Sequence, residues 1–262
     1  MSTDRRAIIE RIREGMRVAG EILADFTPGR IESEKKKGGD PVTAADLAVD
    51  DALRKLLPRE GEGWLSEETA RSPERLKCRH VWIVDPIDGT KEFVRGIPEW
   101  CVSIGYVEDG VAIAGGIYNP ASEEMIVGAV GVGVWLNGKG VTVSSRSDLA
   151  GAIVLASRSE TKRGEWTRFE GTQLDVRQTG SVAYKLGLVA AGLADATWTL
   201  VPKSEWDVAA GVALVHAAGG ETRTMAWNLP TLNHEPPLLD GLVACNGHLI
   251  DACATMLGLP RH

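Results

Sequence analysis

Residues 81–90 read Val-Trp-Ile-Val-Asp-Pro-Ile-Asp-Gly-Thr, and they constrain the chain more than any other stretch. Val81 to Val84 is a β-branched and aromatic run, the pattern of a buried strand. The strand is expected to stop at Asp85-Pro86, because proline supplies no backbone donor to a ladder. Asp85 and Asp88 then project from the strand end and the following turn. Gly89 gives the backbone room, and Thr90 is expected to cap the helix that follows. Two carboxylates on a rigid strand end, beside free backbone amides, suit divalent metals and a phosphate together. The alternative is a Pro-Gly turn whose aspartates only cap and solvate.

Three further acidic elements weigh against that alternative. Gly63 to Ser66 reads as a short strand running into Glu67-Glu68. Glu205-Trp206-Asp207 opens an Ala-rich helical stretch, Val208 to Ala218, which ends at Gly219-Gly220. Alone, Asp207 is also explained by the helix dipole, which favours an acid in the first turn. Asp40-Pro-Val-Thr-Ala-Ala-Asp46 opens another helix running to about Leu57, with Thr43 as its cap and Asp46 in the capping-box place. Each element alone is weak, and the four together are specific.

Along the chain, Arg5 to Phe26 has helical periodicity through Ile8, Ile9, Ile12, Met16, Val18, Ile22 and Leu23. Strand-like runs follow at 101–107, 111–118, 124–130 and 132–136, and Asn137-Gly138 is a hairpin signal. Gly128, Gly131 and Gly133 are not a dinucleotide loop, since no helix pattern follows them. The second half alternates: strand 151–156, helix 160–170, strand 173–177, helix 182–192, strand 195–200, the Asp207 helix, strand 241–245 and a helix from Leu249. A meander followed by βα alternation predicts an α+β half, residues 1–140, packed on an α/β half, residues 141–262.

Composition narrows the function classes. With 262 residues, 44% of them hydrophobic, the chain can bury a large core. A net charge of −7 and no long basic stripe argue against nucleic-acid binding. Lys35-Lys36-Lys37-Gly38-Gly39 reads as a mobile solvated loop, with a lysine meeting substrate phosphate as the minority reading. No stretch approaches the ~20 apolar residues of a membrane span, and the polar N-terminal residues are not a signal-peptide pattern. Cys78, Cys101, Cys245 and Cys253 form no C-x-x-C pair, which suits reduced thiols and a cytoplasmic location. The histidines, His216 and His248 among them, fall at no zinc spacing and read as satisfied structural residues.

Taken together, the acidic elements resemble the inositol monophosphatase superfamily of Mg²⁺-dependent, lithium-sensitive phosphatases. The resemblance is carried by Val42-Thr43-Ala44-Ala45-Asp46, Ser66-Glu67-Glu68, Asp85-Pro-Ile-Asp-Gly-Thr90 and Trp206-Asp-Val-Ala-Ala-Gly211, in the family's order. Gly180-Ser181 and Ala190-Ala-Gly-Leu-Ala-Asp195 match as well. The resemblance implies the family's layered αβαβα sandwich, with the site between the halves. It places Glu67 and Asp85 on a first Mg²⁺, helped by the Ile87 carbonyl, and Asp85, Asp88 and Asp207 on a second, with two or three ions per site. Thr90, paired with Asp46, would orient and deprotonate the attacking water, with Glu67 counted among the catalytic residues. Amides at Gly89 and Thr90 would hold the phosphate oxygens, and Ser181 and Lys185 would meet substrate. The partner is then a small phosphorylated metabolite. A homodimer is compatible with the resemblance.

Physical chemistry reaches the same place. Hydrolysis of a phosphate monoester is among the slowest uncatalysed reactions, needing acceleration of up to ~10²¹-fold. Glu67, Asp85, Asp88 and Asp207 alone would repel a phosphate dianion, each like-charge pair about 4 Å apart costing about 4 kcal/mol at an effective dielectric near 20. Such a cluster takes this substrate only with divalent cations between them. All-oxygen ligands select hard ions, Mg²⁺ first and Mn²⁺ second.

Substrate choice rests on fewer residues. Lys91-Glu92-Phe93 resembles the 3′(2′),5′-bisphosphate nucleotidase branch. Leu200 stands seven residues before Asp207, where the inositol branch carries a Glu that grips ring hydroxyls. Lys185 resembles a nucleotidase lysine that would meet a second phosphate, against the reading of a surface helix residue. Pro98-Glu99-Trp100 and Val102-Ser103-Ile104 are similar to inositol and histidinol phosphatases too. The leading expectation is conversion of adenosine 3′,5′-bisphosphate to AMP, followed by hydrolysis of inositol 1-phosphate, then of a histidinol or sugar phosphate. A non-catalytic, protein-binding member is the alternative of a different class.

Overall fold

The computed structural model describes residues 3–35, 41–69 and 73–259. The expected lysine loop therefore lies, from Lys36 through Asp40, outside the described residues. Helix α1 (Arg5–Leu23) is capped by the Asp4 carboxylate, which accepts from the Arg6 and Ala7 amides. Its apolar stripe is buried at Ile8, Ile9, Ile12, Met16 and Leu23, as the periodicity requires. Strands β1 (Glu34–Lys35) and β2 (Pro41–Val42) pair antiparallel and lead into α2 (Ala44–Leu56). The capping box forms: Asp46 Oδ2 accepts from Thr43 N at 2.8 Å, and the Thr43 hydroxyl accepts from the Ala45 amide at 3.2 Å.

Next come β3 (Glu62–Ser66), β4 (His80–Asp88), α3 (Thr90–Arg95), β5 (Cys101–Glu108), β6 (Val111–Asn119), β7 (Glu124–Ala129), β8 (Gly133–Leu136) and β9 (Lys139–Val141). β3 to β9 form a seven-stranded sheet in sequence order. β3 and β4 run parallel and every later neighbour pair is antiparallel. Asn137 and Gly138, at φ +48° and +79°, make the β8–β9 turn. One expectation needs correction: β4 does not stop at Asp85 but continues through Pro86 to Asp88. Its register against β5 shifts between those two aspartates. Proline is tolerated at such an irregularity, because no ladder donor is missed there.

The remaining elements are β10 (Ile153–Ser157), α4 (Arg158–Lys162), β11 (Asp175–Thr179), α5 (Val182–Ala190), β12 (Ala196–Thr199), β13 (Lys203–Ser204), α6 (Glu205–Ala217), β14 (Glu221–Arg223), β15 (Leu238–Leu239), β16 (Leu242–Cys245) and α7 (Ile250–Leu257). A five-stranded sheet has the order β11-β10-β12-β16-β14, its first three strands parallel. β13 pairs with β15 in a separate ribbon. The helix expected over 160–170 is shorter and broken. After α4 the chain turns at Gly164, φ +79°, and makes a 3₁₀ turn over Thr167–Phe169. That break lets Trp166 and Phe169 both pack on Trp198, each with ring centroids 5.2 Å from it.

Three apolar clusters define five layers. α1 and α2 cover one face of the seven-stranded sheet, burying Ile12, Met16 and Leu53 against Trp82, Ile104 and Val127. α5 and α6 lie between the sheets, joining Ile83 and Ile117 to Leu155 and Ala244 through Leu186, Val208 and Val212. α7 and the Trp166–Phe169 segment cover the far face of the smaller sheet. The result is an αβαβα sandwich. α6 is apolar on nearly every side, the mark of a central helix. It reaches the larger sheet closely because Gly105 and Gly115 face it. A Cβ on Gly105 would sit 2.8 Å from the Ala209 Cβ, and one on Gly115 would run into the Ala210 carbonyl.

Among the described residues no helix is long and apolar enough to cross a membrane. All four cysteines are free thiols. His216 bonds Thr222 Oγ1 at 2.8 Å, as a structural histidine does, whereas His248 is exposed rather than satisfied inside the fold.

Candidate active site

The parallel pairing of β3 with β4 sets Ser66 beside Val84, so the residues that follow, Glu67 and Asp85, arrive together at one end of the sheet. The Glu67 amide donates to the Val84 carbonyl at 3.3 Å and fixes that crossing. Asp88 ends the same strand, and α6 brings Asp207 in its first turn. Oxygens of Asp85, Asp88 and Asp207 lie within 4.8 Å of one another. Glu67 lines the same cavity, of about 230 Å³, along with Ile87, Gly89 and Thr90.

The two strand carboxylates are aimed by their neighbours. Asp85 Oδ1 accepts from the Ile87 amide at 3.0 Å. Asp88 Oδ2 accepts from the Ser181 hydroxyl at 2.7 Å and the Ala183 amide at 2.5 Å. Asp207 stands in the first turn of its helix, after the Ser204 cap position. Burial, then the charges of Glu67, Asp88 and Asp207, push the Asp85 carboxyl well above the usual carboxylate range. Burial, then Asp88 and Glu67, do the same to Asp207. Asp88 is raised by burial too, but the Ala183 and Ser181 bonds and the charge of Lys185 pull the other way. Acids crowded in this way hold a proton in isolation and release it when positive charge arrives.

Thr90 corrects another expectation. It does not cap α3 but is its first residue; Gly89 stands at the cap position, at φ +98°, with no side-chain cap bond. A Cβ at Gly89 would press on Trp100 and the Glu99 carbonyl at 3.1 Å. The Thr90 hydroxyl instead lies 2.9 Å from the Ile87 carbonyl and 3.3 Å from Asp46 Oδ1. Its single proton serves one acceptor at a time, and the shorter bond goes to Ile87. Asp46 is fully buried, its other oxygen bound by Thr43.

The same cavity also carries basic side chains, beside the acidic Glu92. Lys91, Arg163, Lys185 and Lys203 all line the cavity. Lys185 is 4% exposed, so it is not a surface residue of its helix. Burial lowers the pKa of its ammonium, while Asp88 and Glu160 act to raise it. Lys203 is held 3.3 Å from the buried Glu160, which also accepts from Thr199 and from Trp166 Nε1. Leu200 packs into the cluster around Trp166 and Trp198; the side chain that its segment presents to the cavity is Lys203. Lys203, Arg163 and Glu160 were missed by sequence reasoning. The available signal was Lys203, a cation four residues before Asp207 on the same segment.

The sequence model of the Inositol monophosphatase family matches residues 4–255. The chain belongs to that family. It is 30% identical to an inositol-1-monophosphatase of Rhizobium meliloti over 268 residues, 98% of each chain. Among solved structures, an inositol monophosphatase from Anabaena (Nostoc) sp. PCC 7120 superposes with a TM-score of 0.80 at 27% identity, covering 97% of both chains. CysQ from Bacteroides thetaiotaomicron, a bacterial member of the family, superposes with a TM-score of 0.76 at 27% identity, covering 92% of this chain and 97% of that one. Inositol monophosphatase family members are phosphatases, so this chain is an enzyme of that kind. The family is metal-dependent, with magnesium use and lithium sensitivity among its properties. The donor set fits: three carboxylates that share a small buried volume repel one another, and their all-oxygen chemistry matches a hard divalent cation.

Proposed function

We propose that this protein hydrolyses a small phosphate monoester that carries a second anionic group, with a 3′(2′),5′-bisphosphate nucleotide as its leading substrate. The observation that carries this reading is the set of cations, Lys185, Lys203, Arg163 and Lys91, that line one cavity with the acidic triad. A single phosphate is served at the acidic end. Four cations exceed what one phosphate needs and match a further negative group, and Leu200 offers no acceptor for a polyol hydroxyl.

In this reading Asp85, Asp88 and Asp207 hold Mg²⁺, or Mn²⁺ in its place, with Glu67 and the Ile87 carbonyl completing two or three cation positions. A bound divalent cation would supply positive charge for the phosphate and acidify a water. Thr90, paired with Asp46, orients the attacking water: the Thr90 oxygen takes the water's proton as the hydroxyl passes its own to Asp46 Oδ1, 3.3 Å away. The Gly89 and Thr90 amides hold phosphate oxygens. Ser181 acts by fixing Asp88, to which its hydroxyl is already committed. The active site divides the chain into the halves 1–140 and 141–262, with Asp207, Ser181 and Lys185 contributed by the second.

The second reading is inositol 1-phosphate hydrolysis, favoured by the name and full-length match of the Rhizobium meliloti relative. Initial rates with adenosine 3′,5′-bisphosphate and inositol 1-phosphate, each with and without Mg²⁺, decide between them. The proposal expects the bisphosphate to have the larger kcat/KM. Replacing Lys185 or Lys203 by Ala should reduce that value on the order of 10- to 100-fold, as loss of a charge-assisted bond of roughly 1.5–3 kcal/mol implies. Hydrolysis of inositol 1-phosphate should fall much less. Equal losses on both substrates would return inositol 1-phosphate to first place.

A further inference from the structure

Asp88 is aimed by groups that its own strand does not supply. Both donors to its Oδ2 come from the start of α5, in the other half of the molecule: the Ser181 hydroxyl and the Ala183 amide. Ser181 holds this pose in an unusual backbone conformation, φ +56° and ψ 130°, which a residue with a Cβ adopts only under external constraint. The neighbouring Glu99 supplies that constraint. The Glu99 carboxylate, in the segment between α3 and β5, accepts from the Gly180 amide at 2.7 Å. The same carboxylate is gripped by the Arg158 guanidinium through Nε at 2.7 Å and Nη2 at 2.6 Å, a two-point pairing of fixed geometry. The chain packs tightly here: a Cβ on Gly180 would lie 2.6 Å from both the Glu99 carbonyl and Glu92 Cγ.

We propose that the Arg158–Glu99 pair is a positioning clasp that holds the Gly180–Ser181 turn so that Ser181 and Ala183 orient Asp88 for cation binding. It rests on the cation reading above and adds to it residues that never touch substrate or metal. Glu99 lies in the segment between α3 and β5 and Arg158 opens α4, so with Gly180 their pair joins three segments of the chain. Outer partners of metal ligands commonly cost 10–100-fold in metal affinity or activity when removed.

Glu99→Gln is close in shape and keeps an acceptor for Gly180 but loses the ionic grip on Arg158; Arg158→Ala removes the other side. Mn²⁺ binding to the metal-free protein, followed by electron paramagnetic resonance of the free ion, gives a readout independent of turnover. Each variant should bind Mn²⁺ about 10-fold more weakly than wild type. The double variant should be no weaker than either single one, because both act through one link. The Mg²⁺ concentration for half-maximal phosphatase activity should rise in parallel, while kcat at saturating Mg²⁺ stays within about threefold. Arg158→Lys should recover part of the affinity, and circular dichroism should show all variants folded. Unchanged Mn²⁺ affinity in folded Glu99→Gln and Arg158→Ala overturns the clasp. Wild-type protein that binds no Mn²⁺ overturns the clasp and the cation reading together. Intact Mn²⁺ binding without phosphatase activity overturns the functional reading alone.

Discussion

Replacing Asp207 with Asn should stabilise the metal-free protein and destabilise the metal-loaded one. The triad oxygens lie within 4.8 Å of one another, so two ionised partners interact by about 3.5 kcal/mol or more at an effective dielectric of about 20. Asp207 takes part in two such pairs. Full ionisation would make the relief twice that, but burial and crowding raise these carboxyls, so protons already neutralise part of the repulsion. The net gain should be about 1–3 kcal/mol, which for a chain of this size raises Tm by about 2–10 °C in chelator. The sign with pH follows from the raised values. Below the unfolded carboxylate pKa the acid is protonated in both states and carries no penalty. As pH rises through the folded value, metal-free wild type loses stability while the Asn variant loses less. With excess Mg²⁺ the order should invert, since wild type gains binding energy that the amide does not support. Thermal melts from pH 4 to 8, in chelator and in Mg²⁺, provide the test. An Asn variant that melts below wild type in chelator at pH 8 would refute the repulsion argument.

Lithium should inhibit phosphate release at millimolar concentration, with the inhibition changing as Mg²⁺ is varied; activity indifferent to high lithium would place this chain apart from the lithium-sensitive members. Thr90→Ala should lower kcat on the order of 10²-fold with the fold intact, since only the bonds to Ile87 and Asp46 are lost. Thr90→Ser should keep most of the activity, and steady-state kinetics beside circular dichroism checks both. Away from the site, Glu62 accepts from Arg11, Trp82, Tyr106 and the Arg59 amide. Those bonds outweigh the cost of its burial and hold the carboxyl near pKa 2. Its stabilisation is therefore present above about pH 4.5 and lost as pH falls towards 2. Glu62→Gln should cost about 1–3 kcal/mol at pH 7 in urea unfolding and flatten the acid limb.

What the sequence disclosed was local. Thr43 and Asp46 announce the start of α2 because a capping box is written within four residues. Asn137-Gly138 announces its hairpin because both positions need positive φ. The carboxylates were readable because acids at strand and helix ends have few other reasons to recur in one chain. What stayed hidden depends on packing between distant segments. β4 passes through Pro86 because its register with β5 slips there, a property of two strands rather than one. The break after α4 answers to Trp198, some thirty residues on. Lys185 lies on a helix whose burial comes from both sheets, so its own sequence could not separate a surface lysine from a buried one. Arg158 carries no motif, and the Pro98-Glu99-Trp100 run says nothing of what Glu99 meets; their pairing exists only once these segments pack together.

The central claim is that Asp85, Asp88 and Asp207 jointly hold a divalent cation in the cavity they line. Crystals soaked in Mn²⁺ and measured near the manganese absorption edge test it directly. The account predicts an anomalous peak about 2.0–2.4 Å from one oxygen of each of the three carboxylates, as hard-ion distances require. The peak should be lost in Asp88→Asn crystals treated in the same way. Absence of a peak at the triad in wild-type crystals, with the carboxylates arranged as described, would contradict it.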